Sequence, residues 1–389
     1  MWNGRSGPKN LCGDREMLTR RQFLKQTSAN AAVFAALATG LWPMPSNATA
    51  PHGLPDGYFV PAEEDPHERT FMQWPVNRTV HPDRWFLADL QKTIANVANT
   101  IAEFEPVVML MAENQRAAAR RLLSGKVEIW DVPTDDLWCR DSGPLFAVDG
   151  NGGLVVSGIQ FNGWGNKQVH DNDGLVAKRV AERMGLKIYP SGLKGEPGGA
   201  EWDGAGTLMA QESCWVNPNR NDLGRPEIEA RLLAAYGADT MIWAPGVRGL
   251  DITDDHIDAL ARFVRPGTVL IQVPYPDDDD AFSVSARKTL SILQQATDAS
   301  GQPLEIVEIA SPTRTRVRSE DFVSSYVNYY VCNGAVICAQ FGDSDTDTEA
   351  VEALARLYPD REIVSLNIDP IGETGGGIHC ATQQQPATA

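Results

Sequence analysis

Strand-length apolar runs and amphipathic helical stretches alternate through the whole region after residue 50, with no low-complexity linker to divide it. That alternation restricts the chain to the α/β class, in which helices cover the faces of sheets. Val107–Met111, Val127–Val132, Leu154–Phe161, Thr207–Val216, Thr268–Val273, Leu304–Ile309 and Ile363–Ile368 have strand length and β-branched content. Between them, Asp83 stands where a helix N-cap is expected. The Phe86, Leu90, Ile94, Val97, Ile101 and Phe104 that follow recur at three- and four-residue steps, which predicts one buried helix face. Leu175–Met184, Glu227–Tyr236 and Val284–Leu293 carry similar patterns, and Tyr326–Ile337 reads as a hairpin turning on Asn333-Gly334, a pair that accepts positive φ. Sheet topology does not follow from these patterns, which show neither a nucleotide-binding glycine fingerprint nor a repeat in the letters.

Residues 1–50 are of a different kind. Arg20-Arg21 precedes an alanine-rich apolar stretch, Ala29–Leu41, too short to span a bilayer of ~30 Å. Ala48-Thr49-Ala50 then offers a signal-peptidase pattern. We expect a twin-arginine-type export signal over 1–50, with Met17 as an alternative start, and one domain over 51–389. The location expected is periplasmic or secreted. Without the signal's six basic and two acidic residues the formal charge moves from −17 to −21 (28 basic against 49 acidic), which argues against nucleic acid or an anionic membrane as partner and suits a cationic substrate. Five cysteines remain in this part, an odd number with no zinc or disulfide-framework spacing, so at least one thiol stays free. The acidic run Asp277–Asp280 lacks the glycine and terminal glutamate of an EF-hand and reads as a solvated loop.

Four segments carry chemistry-bearing residues. In Gly375-Gly376-Gly377-Ile378-His379-Cys380, glycines allow close backbone approach to a ligand and end on a nucleophile. Asp254-Asp255-His256-Ile257-Asp258 places an imidazole two residues from a carboxylate, so that in extended backbone both face one way. Trp138-Cys139-Arg140-Asp141-Ser142-Gly143-Pro144 sets a carboxylate beside a turn, and Glu196-Pro197-Gly198-Gly199-Ala200-Glu201-Trp202-Asp203 offers three more around glycines. Each alone is equally compatible with a buried thiol, a surface loop or a structural turn.

Together, and in this order, the four segments resemble the agmatine deiminase and bacterial peptidylarginine deiminase family. Pro61-Ala62-Glu63, Phe161-Asn162-Gly163-Trp164-Gly165, Asn217-Pro218-Asn219-Arg220-Asn221 and Ser325-Tyr326-Val327-Asn328 extend the resemblance over nearly all of the chain after the signal. The resemblance implies an α/β propeller of five pseudo-symmetric ββαβ units with a central active site. It further implies Cys380 as nucleophile and His256 as general acid and base, with Asp141, Asp258, Glu196 and Asn328 on the substrate. Glu201, Trp138 and Trp164 are secondary candidates. Hydrolysis of a guanidinium through a covalent thiouronium needs no metal and no organic cofactor, and the resemblance is compatible with a homo-oligomer.

The expected substrate is agmatine, a small guanidino cation, and the product N-carbamoylputrescine. A secreted peptidylarginine deiminase is the alternative within the family, and a silent guanidine-binding protein the alternative outside catalysis. An arginine carboxylate would call for a cationic clamp, for which Arg314, Arg316 and Arg318 are the candidates. Three positions depart from the family pattern: Asp255 where glycine is common, Glu64 where tryptophan is common, and Pro197 inside the usual Glu-Gly-Gly. The last leaves open which of Glu196 and Glu201 carries the carboxylate role.

Overall fold

The computed structural model describes residues 52–319 and 321–388, so the export signal expected at 1–50 lies outside the described residues. Asp83 caps its helix as expected, its Oδ1 accepting from the backbone N–H groups of Trp85 and Phe86. The helix, α1 (Arg84–Ile101), buries Leu87, Leu90, Ile94, Val97 and Ile101 on one face. It connects β1 (His67–Gln73) to its parallel neighbour β2 (Val107–Met111), beside which β3 (Val127–Asp131) also runs parallel. Parallel neighbours cannot be joined by a tight turn, which is why an amphipathic helix stands between them.

The same construction recurs four times. An antiparallel pair opens each unit, and a helix then leads to a third, parallel strand. The second unit is β4 (Leu145–Val148), β5 (Leu154–Gln160), α2 (Val176–Met184) and β6 (Ile188–Lys194). The third is β7 (Ala200–Trp202), β8 (Thr207–Gln211), α3 (Arg225–Tyr236) and β9 (Thr240–Ala244). The fourth is β10 (Ala261–Arg265), β11 (Thr268–Val273), α4 (Ala281–Leu293) and β12 (Glu305–Ala310). The fifth is β13 (Tyr330–Cys332), β14 (Ala335–Gln340), α5 (Ser344–Leu357) and β15 (Glu362–Asn367).

The first unit lacks an antiparallel strand of its own from the start of the chain. The C-terminal β16 (Thr382–Pro386) supplies it by pairing antiparallel with β1. Five ββαβ units and five sheets result among the described residues, and the last strand of the chain ties the final segment back to the first. This α/β arrangement agrees with the expected class.

Several local readings need adjustment. Thr207–Val216 stops being a strand at Gln211, where the short helix Glu212–Trp215 begins. The hairpin does turn on Asn333-Gly334, with Cys332 opposite Ala335, but pairing starts only at Tyr330; residues 326–329 leave the sheet. α5 carries no clear helical signal in the letters, because its first turn is polar, although Ala350, Ala353 and Leu354 bury its inner face. The acidic run is exposed as expected, with Asp280 serving as the N-cap of α4.

Each link from one unit to the next carries one of the chemistry-bearing segments. Asp141 lies between β3 and β4, Glu196 between β6 and β7, His256 and Asp258 between β9 and β10, Asn328 between β12 and β13, and Cys380 between β15 and β16. Residues as far apart in sequence as 141 and 380 therefore reach one place because each sits at the same point of its repeat.

Candidate active site

Cys380, His256, Asp141 and Asp258 line one cavity of about 320 Å³, together with Trp138, Trp164 and Gly376. Cys380 is held at both ends by Asn328. The Asn328 Oδ1 accepts from the Cys380 backbone N–H at 3.3 Å, and its Nδ2 donates to Cys380 Sγ at 3.1 Å and to the Asp258 carbonyl at 3.2 Å. The thiol donates to Asp258 Oδ2 at 3.3 Å. Gly376 lets this segment approach Trp138, for a Cβ there would come within 2.4 Å of the indole ring.

The two aspartates share a pattern. Asp258 Oδ2 also accepts from His379 Nδ1 at 2.7 Å, and Asp141 Oδ2 accepts from Trp164 Nε1 at 2.9 Å. Their other oxygens, Asp141 Oδ1 and Asp258 Oδ1, are buried without a hydrogen-bond partner. Leaving one such acceptor unsatisfied costs about 1–3 kcal/mol, more for a charged group, so the two oxygens in one cavity offer a place for a group that donates hydrogen bonds. Gly198 backs this space, since a Cβ there would lie 2.5 Å from Asp141 Oδ1.

His256 lies between carboxylates, with Nε2 3.3 Å from Glu196 Oε2 and Nδ1 3.7 Å from Asp141 Oδ1. Burial by itself would favour the neutral imidazole, but Asp141, Glu196 and Asp258 outweigh it and raise the His256 pKa to about 9. Asp141 is raised to about 6, chiefly by burial; His256 opposes this while Glu196 and Asp258 add to it. Burial, with Asp258 and Asp141 beside it, holds the Cys380 thiol well above its ordinary range. The thiols of Cys139, Cys214, Cys332 and Cys338 are also buried, unpaired and raised. Cys380 differs from them in facing the cavity beside the partnerless carboxylate oxygens.

Glu196 and Glu201 occupy different places from a ligand-facing carboxylate. Arg220 engages both Glu196 oxygens, Nε donating at 3.1 Å and Nη2 at 3.3 Å, and Glu196 reaches His256 from behind. Glu201 accepts from Arg262 Nε at 3.0 Å and lies 3.7 Å from His379 Nε2. Neither lines the cavity. Pro197 does not displace Glu196, because Pro197-Gly198-Gly199 form a single 3₁₀ turn in which proline takes the first position. Asn328 contacts the nucleophile and its neighbours.

Five residues given no role from the sequence complete the surroundings. His379 sits behind Asp258, with Nε2 2.9 Å from Glu63 Oε2 but not aligned as a hydrogen bond. Arg140 Nη2 donates to Glu63 Oε2 at 2.8 Å, and Arg262 Nη2 lies 2.9 Å from Glu63 Oε1. Arg220 bridges Glu196 to Asp254. The segments holding Glu63, Arg140, Arg220 and His379 were all visible as parts of the resemblance; Arg262, on β10, had no signal.

A family model described as Porphyromonas-type peptidyl-arginine deiminase matches residues 59–386. An agmatine deiminase of Stutzerimonas stutzeri is 37% identical over 361 residues, covering 85% of this chain and 96% of the relative. The solved agmatine deiminase of Enterococcus faecalis superposes with a TM-score of 0.78 at 27% identity, covering 86% of this chain and 97% of that one. The C. jejuni agmatine deiminase, at 22% identity and a TM-score of 0.73 over 85% of this chain and 97% of its own, shares the fold. The chain belongs to the Porphyromonas-type peptidyl-arginine deiminase family.

Proposed function

We propose that the chain hydrolyses agmatine to N-carbamoylputrescine and ammonia, with Cys380 as the nucleophile. The observation that carries this reading is the pair of buried carboxylate oxygens, Asp141 Oδ1 and Asp258 Oδ1, that accept no hydrogen bond within the protein and share the cavity that Cys380 faces. A guanidinium is planar and permanently charged, with N–H groups that match carboxylates in a fork, so it meets this need as few other groups can. The relatives from Stutzerimonas stutzeri and Enterococcus faecalis act on agmatine by name, which supports the same choice here.

Burial, with Asp258 and Asp141 beside it, keeps the Cys380 proton on sulfur before substrate binds. A guanidinium ~4 Å from the sulfur contributes about 4 kcal/mol of attraction to a thiolate at an effective dielectric of 20, which favours loss of that proton to solvent, His256 being already protonated, once substrate is bound. The thiolate adds to the guanidinium carbon. His256, protonated at neutral pH, gives its proton to the departing amino group, and ammonia leaves the S-alkylthiouronium. The imidazole then takes a proton from water, whose oxygen attacks the same carbon; collapse restores the thiol and releases the ureido product. Glu196 steadies the imidazolium, and Arg220 keeps Glu196 ionised: although burial opposes it, Arg220 and His256 hold that carboxyl below its ordinary value.

A far-end carboxylate has no visible receptor. No Lys or Arg lines the cavity among the described residues, whereas Asp251, Asp255 and Asp321 do. Of the expected arginine clamp, Arg316 is bound to Asp369 at 2.7 and 2.9 Å, and Arg314 and Arg318 are exposed outside the cavity. Parallel assays of ammonia release from agmatine, free arginine and an arginyl peptide test the assignment. Agmatine is expected to show the highest kcat/KM, and an arginyl peptide in first place would replace this reading by the secreted peptidylarginine alternative.

The pH profile follows from the two raised groups. Below about 6, Asp141 takes up a proton and loses its hold on the guanidinium; above about 9, His256 loses the proton it must donate. A plot of kcat/KM against pH should therefore be bell-shaped with limbs near those values, each belonging to the coupled Asp141–His256–Glu196 cluster. An activity that climbs steadily through pH 9 would contradict the role given to His256. For location, the Arg20-Arg21 signal pattern supports export of the mature enzyme from the cytoplasm.

A further inference from the structure

We propose that Asp255 is a specificity-determining residue whose carboxylate binds the ammonium at the far end of a guanidino-alkylamine. This rests on the guanidinium reading above and adds the second contact point of the substrate.

Asp254 and Asp255 have φ values of +64° and +69°, in the left-handed region that is strained for a side-chain-bearing residue and that glycine enters freely. A side chain is thus carried where its absence would relax the backbone. Its carboxylate does not repay that cost with a structural salt bridge: among the described residues Asp255 forms none. The groups reaching toward it are the Val247 backbone N–H and the Gln211 side chain, both neutral. Asp251 is differently employed, with Oδ1 accepting from the Asp255 N–H at 2.8 Å and Oδ2 from the Thr253 hydroxyl.

Position matters as much as charge. Asp255 lines the cavity that holds the partnerless oxygens of Asp141 and Asp258, so the pocket is already marked as a ligand site by groups at least nine-tenths buried. The loop it belongs to runs outward from His256 through Thr253 and Asp251 to Leu250, which is 53% exposed and marks the mouth. Asp255 therefore stands on the wall between the reacting end and solvent. Burial, with Asp251 nearby, raises its carboxyl to about 8 against the opposing pull of His256 and the hydrogen bonds from Val247 and Gln211. A substrate ammonium adds a positive charge that favours the ionised carboxylate. The class selected is a guanidine joined by a short alkyl chain to a primary amine, in preference to one ending in a neutral or anionic group.

The test compares agmatine with n-pentylguanidine, in which a methyl replaces the amine, in the wild-type enzyme and in Asp255→Asn and Asp255→Gly. The wild-type enzyme should favour agmatine in kcat/KM, and both substitutions should reduce the agmatine-to-pentylguanidine ratio by ~10- to 100-fold, the usual worth of a hydrogen bond to a charged group. Asp255→Gly relaxes the backbone, so its result does not hinge on a folding defect. An unchanged ratio, with both substrates slowed equally, would overturn the assignment while leaving the deiminase reading intact. Wild-type enzyme that hydrolyses neither compound would overturn that reading and this one with it.

Discussion

Cys380→Ala should bind agmatine and fail to hydrolyse it, with turnover reduced by roughly a millionfold, the scale seen when a covalent nucleophile is removed. The sulfur is the only atom lost, and the partnerless oxygens of Asp141 and Asp258 remain in place to hold the guanidinium. Calorimetry should thus report agmatine binding of similar strength. Folding should change by about 1 kcal/mol or less, because Sγ faces the cavity and its removal opens no new void in the core. A variant that keeps even a few per cent of activity would mean that water attacks directly. The four other thiols serve as controls: Cys139, Cys214, Cys332 and Cys338 lie outside the cavity, and replacing any one conservatively should leave kcat within a few-fold.

His256→Asn should lower kcat by ~10³- to 10⁴-fold, the upper range for a group that donates and then accepts a proton. Asparagine retains hydrogen-bonding capacity toward Glu196 but cannot carry the proton to the leaving amine, so the fall belongs to chemistry more than to binding. The alkaline limb near pH 9 should disappear from what activity survives. Stability gives a second readout with a definite sign. The folded His256 is raised above its unfolded value of ~6.5, so the stability it contributes is complete below that value and is lost as pH rises through about 9. The difference in denaturation midpoint between wild type and His256→Asn should shrink across that interval. A constant difference from pH 6 to pH 10 would contradict the charged pair with Glu196 and Asp141.

The legible and illegible parts of this molecule divide by how far their causes reach along the chain. Strands such as Val107–Met111 and Thr268–Val273, and the capped α1, follow from neighbours within a few residues, so periodicity and capping found them with their bounds nearly right. β16 could not be found that way. Its Gln383, Gln384 and Gln385 are polar letters that become buried only because β1 pairs with them from the opposite end of the chain. The five-unit repeat was equally hidden, being a repeat of strand pairing and not of residues.

The site shows the same division. Cys380, His256, Asp141 and Asp258 announced themselves through glycines, a carboxylate-imidazole spacing and a resemblance in four ordered segments. The difference between touching a ligand and standing behind one did not. In the letters Glu196 reads as another guanidinium binder, whereas in the fold Arg220 donates to both of its oxygens. Asn328 likewise turns its amide to Cys380. Contacts across such sequence separations leave no pattern in the letters, since any Arg or Asn serves equally well as a letter. Asp255 is the opposite case: its departure from glycine was plain in the sequence, while its meaning required the positive φ and the cavity wall.

Acid quenching of the wild-type enzyme in its first turnovers, followed by mass spectrometry of the peptide containing Cys380, examines the covalent step itself. The mechanism predicts that peptide with an added mass of agmatine less ammonia, appearing as ammonia is released and vanishing as N-carbamoylputrescine forms. A burst of ammonia equal to the enzyme concentration, with Cys380 unmodified throughout, would contradict it.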